Sequence, residues 1–76
     1  MISRGDFLNF VIEYHIKDIR EKRGISIRQL ARDAGISHSF LIYLERGEKQ
    51  PSFYVMCCLS EALKVNMNDL YTLRYL

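Results

Sequence analysis

Between Ser26 and Gly47 the chain offers two short stretches able to form helices and little that could lengthen either, and this restricts the fold more than any other feature. Ser26 is placed to cap a helix through its hydroxyl, with Gln29 three residues on to complete a Ser-x-x-Gln box. Leu30, Ala31 and Ala34 form the inner face, and Gly35 halts the helix because glycine accepts the left-handed geometry that ends helices. Ser37 caps the next helix, over 38–46, with Phe40, Leu41 and Leu44 pointing inward and Gly47 as its stop. Two short helices joined by Gly35, Ile36 and Ser37 make a compact pair whose second member can protrude from the body.

The flanking segments also read as helical. Leu8, Ile12, Ile16 and Ile19 share one face of a predicted first helix over 6–23, closed by Gly24. Pro51 and Ser52 break the chain and cap a fourth helix over 53–64, with Phe53, Met56, Cys57, Leu59 and Leu63 as inner positions. Asn66 caps a fifth over 67–73, with the Asp69 carboxylate favouring its N-terminus. No sustained apolar–polar alternation marks a strand. The expected fold is therefore all-α: a compact five-helix bundle forming a single domain over 1–76.

Apolar residues make up 49% of the 76 residues and charged residues 26%, enough to build a core, although so short a chain buries a modest share of its surface. The net charge of +2 is spread along the chain without a basic tail, so charge alone does not assign a polyanion partner. Cys57 and Cys58 are adjacent, which disfavours a disulfide framework or zinc site and suits a reducing, cytoplasmic setting. His15 has no second ligand at i+4, so no metal is expected. The apolar stretches 7–12 and 53–59 are too short for a membrane span or signal core. A Gly-rich phosphate loop, a Cys/His nucleophile pair and a carboxylate pair are all missing, which argues against an enzyme, a cofactor or a small-molecule ligand.

Read together, the run from Ile16 to Gly24, the segment Ser26-Ile-Arg-Gln-Leu-Ala31, then Ala34-Gly-Ile-Ser37, Phe40-Leu41, Leu44-Glu-Arg-Gly47, Pro51-Ser52 and Asp69-Leu70 resemble the phage-repressor and Cro-like helix-turn-helix proteins, also called the XRE family. The match covers about residues 12–71. It implies a lambda-repressor-like bundle whose second and third helices form the helix-turn-helix, and a small transcriptional regulator, expected to be a repressor, that binds double-stranded DNA. It also implies that Arg20 pairs with Glu45, locking the recognition helix against the first. By the same resemblance His38, Ser39, Ile42 and Tyr43 face base edges, where imidazole and hydroxyl groups can hydrogen-bond and Ile42 can meet a thymine methyl.

Around that helix, Ser37, Arg28, Arg46, Lys49 and Gln50 are the expected phosphate contacts. Ile27 stands where such proteins often carry a phosphate-touching Gln, and Ile42 and Tyr43 replace residues that are commonly polar. This apolar bias also suits a second reading, in which the fold serves as a protein-interaction module or an antagonist of a related repressor. Tyr54, Val55 and Cys58 on the fourth helix, with Tyr71, Leu73, Tyr75 and Leu76 after it, form the expected interface of a two-fold homodimer. Such a dimer would place its recognition helices roughly 34 Å apart on a pseudo-palindromic operator.

Overall fold

The computed structural model describes residues 9–76, and the predicted helix start at residues 6–8 lies outside them. The described residues begin with strand β1 (Phe10–Tyr14). They continue through helices α1 (Ile16–Lys22), α2 (Ile27–Ala34), α3 (His38–Glu45) and α4 (Phe53–Leu63), then a single 3-10 turn (Met67–Leu70), and end with strand β2 (Tyr71–Tyr75). Among the described residues the fold is thus four α-helices with a two-stranded antiparallel sheet, which corrects the all-α five-helix expectation.

Both corrections have the same physical origin. Phe10-Val-Ile-Glu-Tyr14 is rich in β-branched and aromatic residues that fit a pleated surface. It finds its partner in Tyr71-Thr-Leu-Arg-Tyr75, with Ile12 opposite Leu73 and Tyr14 opposite Tyr71. The predicted first helix therefore keeps only its second half, and His15 sits at the junction between β1 and α1. Its backbone N–H donates to the Leu70 carbonyl at 2.8 Å, and its Nε2 lies 2.7 Å from the Thr72 hydroxyl. The predicted fifth helix stops after one turn because Tyr71 adopts an extended backbone, φ −152° and ψ 161°. The turn itself starts as expected, the Asp69 carboxylate accepting from the Asn66 N–H at 3.2 Å.

The helices lie where their caps put them. Ser26, Ser37 and Ser52 each accept a hydrogen bond from the backbone N–H three residues on, at 3.0, 3.0 and 3.1 Å. Gln29 does not close the expected box: its side chain donates to Asp33 and accepts from Arg32 instead. Leu30, Leu41, Leu59, Leu63 and Leu70 are wholly buried, with Ile16, Ala31, Ala34, Leu44 and Met56 packed around them. On α4 the inner stripe is Met56, Leu59 and Leu63, at helical spacings of three and four. Phe53, expected inside, falls ahead of that stripe in the first turn and is 75% exposed, while Cys57 is half-buried. The Arg23 guanidinium donates to the Leu63 carbonyl, fastening the end of α1 to the end of α4.

Candidate nucleic-acid interface

The turn between α2 and α3 reverses direction at Gly35, whose φ of 73° lies in the left-handed region that favours glycine. Ser37 then returns to extended geometry and caps α3 by accepting from the Phe40 N–H, which leaves the His38 and Ser39 amides without a partner within the helix. Leu41 and Leu44 sink into the core and fix the inner side of α3. His38, Ser39 and Tyr43 occupy the exposed outer side, and Ile42 is half-buried beside them.

Ile42 meets Ile27 in a cleft also lined by Lys17, Glu21 and Arg46, with Arg20 and Glu45 among its walls. The structure brings Arg20 and Glu45 together in a bidentate pair, Nε to Oε2 at 2.7 Å and Nη2 to Oε1 at 3.0 Å. The third arm of the guanidinium donates to the Ile25 carbonyl at 2.9 Å. Both side chains are almost shut off from solvent, 9% and 5% exposed. The hydrogen bond to Glu45 raises the Arg20 pKa above its ordinary value, outweighing the opposing effect of burial. One end of α3 is therefore held by its cap and the other by a fully charged clamp on α1.

The cations expected to meet phosphate surround this helix without being spent on buried partners. Arg28, Arg46 and Lys49 are all exposed. Arg46 touches Glu48 only loosely, at 3.9 Å, with both side chains at least half exposed. Lys49 places its ammonium 5.6 Å from the centre of the Tyr43 ring, in cation–π range. Gln50 accepts a 2.8 Å hydrogen bond from the Tyr14 hydroxyl, which fixes the amide and leaves its N–H groups available. Two residues enter this surface that the sequence reading did not assign. Lys17 lies one turn before Arg20 on α1, and that i, i+3 spacing was a usable signal. Tyr14 reaches Gln50 across 36 positions, and nothing local announces it.

The residues expected at a dimer interface come from α4 and from the segment around β2. Tyr71, Leu73 and Tyr75 point to one side of β2, whereas Leu76 is out of phase with them by one position. Tyr54 is 76% exposed, but Val55 and Cys58 are partly buried against the core. Among the described residues, no helix is long and apolar enough to cross a membrane.

Residues 16–70 match the family described as Helix-turn-helix. An uncharacterized HTH-type transcriptional regulator of Mycobacterium tuberculosis is 39% identical over 56 residues, a stretch covering 74% of this chain and 40% of that protein. The chain thus spans about two fifths of the length of the curated relative it matches. Among solved structures, the master regulator for biofilm formation SinR, a Bacillus subtilis protein, in complex with DNA is similar at a TM-score of 0.68 and 33% identity. That similarity covers 71% of this chain and 87% of the other. The restriction-modification controller protein C.AhdI of Aeromonas hydrophila is similar at a TM-score of 0.71 and 25% identity, covering 72% and 83%.

Proposed function

Because this chain belongs to the Helix-turn-helix family, we propose that it is a transcriptional regulator that binds double-stranded DNA by seating α3 in the major groove. The observation that carries the reading is the division of α3. Its inner side is fixed by Leu41, Leu44 and the Arg20–Glu45 clamp, while His38 and Ser39 are exposed and Tyr43 is 40% exposed. A major groove about 12 Å wide accepts one such helix. The likeness to SinR, whose structure was solved with DNA, supports the same use of the surface.

In this reading His38, Ser39 and Tyr43 address base edges, and Ile42 with Ile27 offers an apolar notch for a thymine methyl. Ser37, the first amides of α3, Arg28, Arg46, Lys49 and Gln50 hold phosphates and set the register. Two copies occupy a pseudo-palindromic operator and repress by occupancy rather than catalysis. Such a role places the protein in the cytoplasm, where the free thiols of Cys57 and Cys58 stay reduced. The second reading, a protein-interaction module, draws on the exposure of Tyr43 and on the apolar Ile27 and Ile42 that share a cleft.

Charge reversal separates the two. Arg46→Glu together with Lys49→Glu is expected to abolish binding to duplexes selected from a random library while the helical signal is unchanged. Wild-type protein that selects no duplex at low salt, or a double variant that binds as tightly as wild type, counts against DNA recognition by this surface.

A further inference from the structure

Apart from Tyr14, whose hydroxyl reaches Gln50, the strand pair carries a surface that the DNA-facing side does not use. Residues opposite one another in an antiparallel pair share a face. The register of Phe10 with Tyr75, Ile12 with Leu73 and Tyr14 with Tyr71 therefore gathers six apolar or aromatic side chains on one side. Val11, Glu13, Thr72 and Arg74 take the other side, where Arg74 reaches Glu13 at 3.3 Å. The ribbon is amphipathic, yet its apolar face is only partly covered: Tyr14 and Tyr71 pack against the core, and Phe10 at the far end is half-buried with its ring 5.8 Å from that of Tyr75. Farther out, Ile12 and Leu73 are 42% and 38% exposed and Tyr75 is 70% exposed. Between this face and the start of α4 runs a groove lined by Ile12, Tyr14, Phe53, Met56, Met67 and Tyr71. Phe53 stands at its rim, 75% exposed.

An isolated two-stranded ribbon is marginal in water unless its apolar face is packed. The Phe53 and Tyr75 rings alone leave roughly 300 Å² uncovered, taking about 200 Å² for each ring. With Ile12, Leu73 and the groove, the patch reaches roughly 500 Å², towards the upper end of what a single soluble chain exposes. Two such patches buried on each other remove about 1,000 Å², the threshold for a specific interface. None of the residues on the face or in the groove carries a charge at neutral pH, so stacking the face on its own copy brings no like charges together.

We propose that this face is a dimerisation surface whose occupant is the same face of a second copy of the chain, the ribbons packing against each other beside the two Phe53 rings. The interface combines β1, β2 and the start of α4, and it leaves out Val55, Cys58 and Leu76. It rests on the operator reading only for its purpose, which is to present two α3 helices, and it forms without DNA.

Sedimentation of the full chain in the absence of DNA tests it, comparing wild type with Phe53→Asp and Tyr75→Asp. Both positions are at least 70% exposed, so neither substitution removes core packing, and Phe53 lies outside the ribbon altogether. Wild type is expected to dimerise in the low micromolar range, and each variant to weaken the dimer by about tenfold or more with an unchanged helical signal. Wild type that remains monomeric at roughly 100 μM overturns the proposal. So does a Phe53→Asp variant that dimerises like wild type, the outcome expected if the copies joined only through free strand edges. A dimer that persists where no duplex is bound supports the proposal and removes the operator reading alone.

Discussion

Glu45→Gln isolates the contribution of the clamp on the recognition helix, because the side chain keeps its shape and loses its charge. In the wild type Arg20 makes two charge-assisted hydrogen bonds to Glu45, and both side chains are less than a tenth exposed. The neutral amide can accept one of those bonds but turns an NH2 towards the other arm of the guanidinium, leaving a buried cation without a counter-charge. The nearest substitute, Glu21, lies 4.0 Å from Nη2 and is 57% exposed, too well solvated to replace it. Breaking a buried pair by removing one partner costs about 3–5 kcal/mol. Gln keeps one acceptor, so a loss of about 3 kcal/mol is expected. A domain of this length holds roughly 4–11 kcal/mol in total. In urea, with m about 1 kcal/mol/M, the midpoint should fall by about 3 M, and in a thermal scan Tm should drop by at least about 12 °C. Circular dichroism follows both transitions. Pairing Arg20→Met with Glu45→Leu removes both charges together and should cost less than Glu45→Leu alone. A Glu45→Gln variant within about 0.5 kcal/mol of wild type, or single losses that simply add in the double variant, would refute the clamp as a buried, mutually dependent pair.

Gly35→Ala should lower stability by about 1 kcal/mol, read from the urea midpoint, because alanine resists the φ of 73° although no neighbouring atom crowds the new methyl. Arg28→Ala should reduce the slope of log affinity against log salt by about 1, and an unchanged slope means that Arg28 does not neutralise a phosphate. Burial pushes the Tyr14 hydroxyl above its ordinary pKa of 10.0, so the folded chain holds that proton more tightly than the unfolded one. The associated stability is complete below pH 10 and is lost as pH rises through the folded value. Denaturation midpoints across the alkaline range should show this loss in wild type and a weaker one in Tyr14→Phe.

The helices were legible because their signals are local. A serine cap, an inner stripe and a terminating glycine all fall within a dozen residues for α2 and α3, and the same logic located α4. The strands were not, because each derives its stability from a partner at the other end of the chain. Ile12 and Ile16 stand four apart and so imitate a helix face, and Val11 blurs the alternation of Phe10, Ile12 and Tyr14. In β2 the alternation of Tyr71, Leu73 and Tyr75 with Thr72 and Arg74 is clean, but the cap at Asn66 drew the segment into a helix that ends after one turn. At the candidate interface, the outer residues of α3 could be named from the resemblance to helix-turn-helix proteins, not from periodicity alone. The Tyr14–Gln50 bond could not, since it exists only once the ribbon has formed.

Strand pairing between Phe10 and Tyr75 also orders events in time. Closing a loop of roughly sixty residues gives no return until both ends are present, whereas the helical pairs need only near neighbours. On a ribosome adding about 5–20 residues per second, the α2–α3 unit emerges seconds before β2, and β1 waits without a partner for that interval. The apolar face is thus the last surface of the nascent domain to take shape, and a newly made copy cannot recruit another before its own α3 is complete.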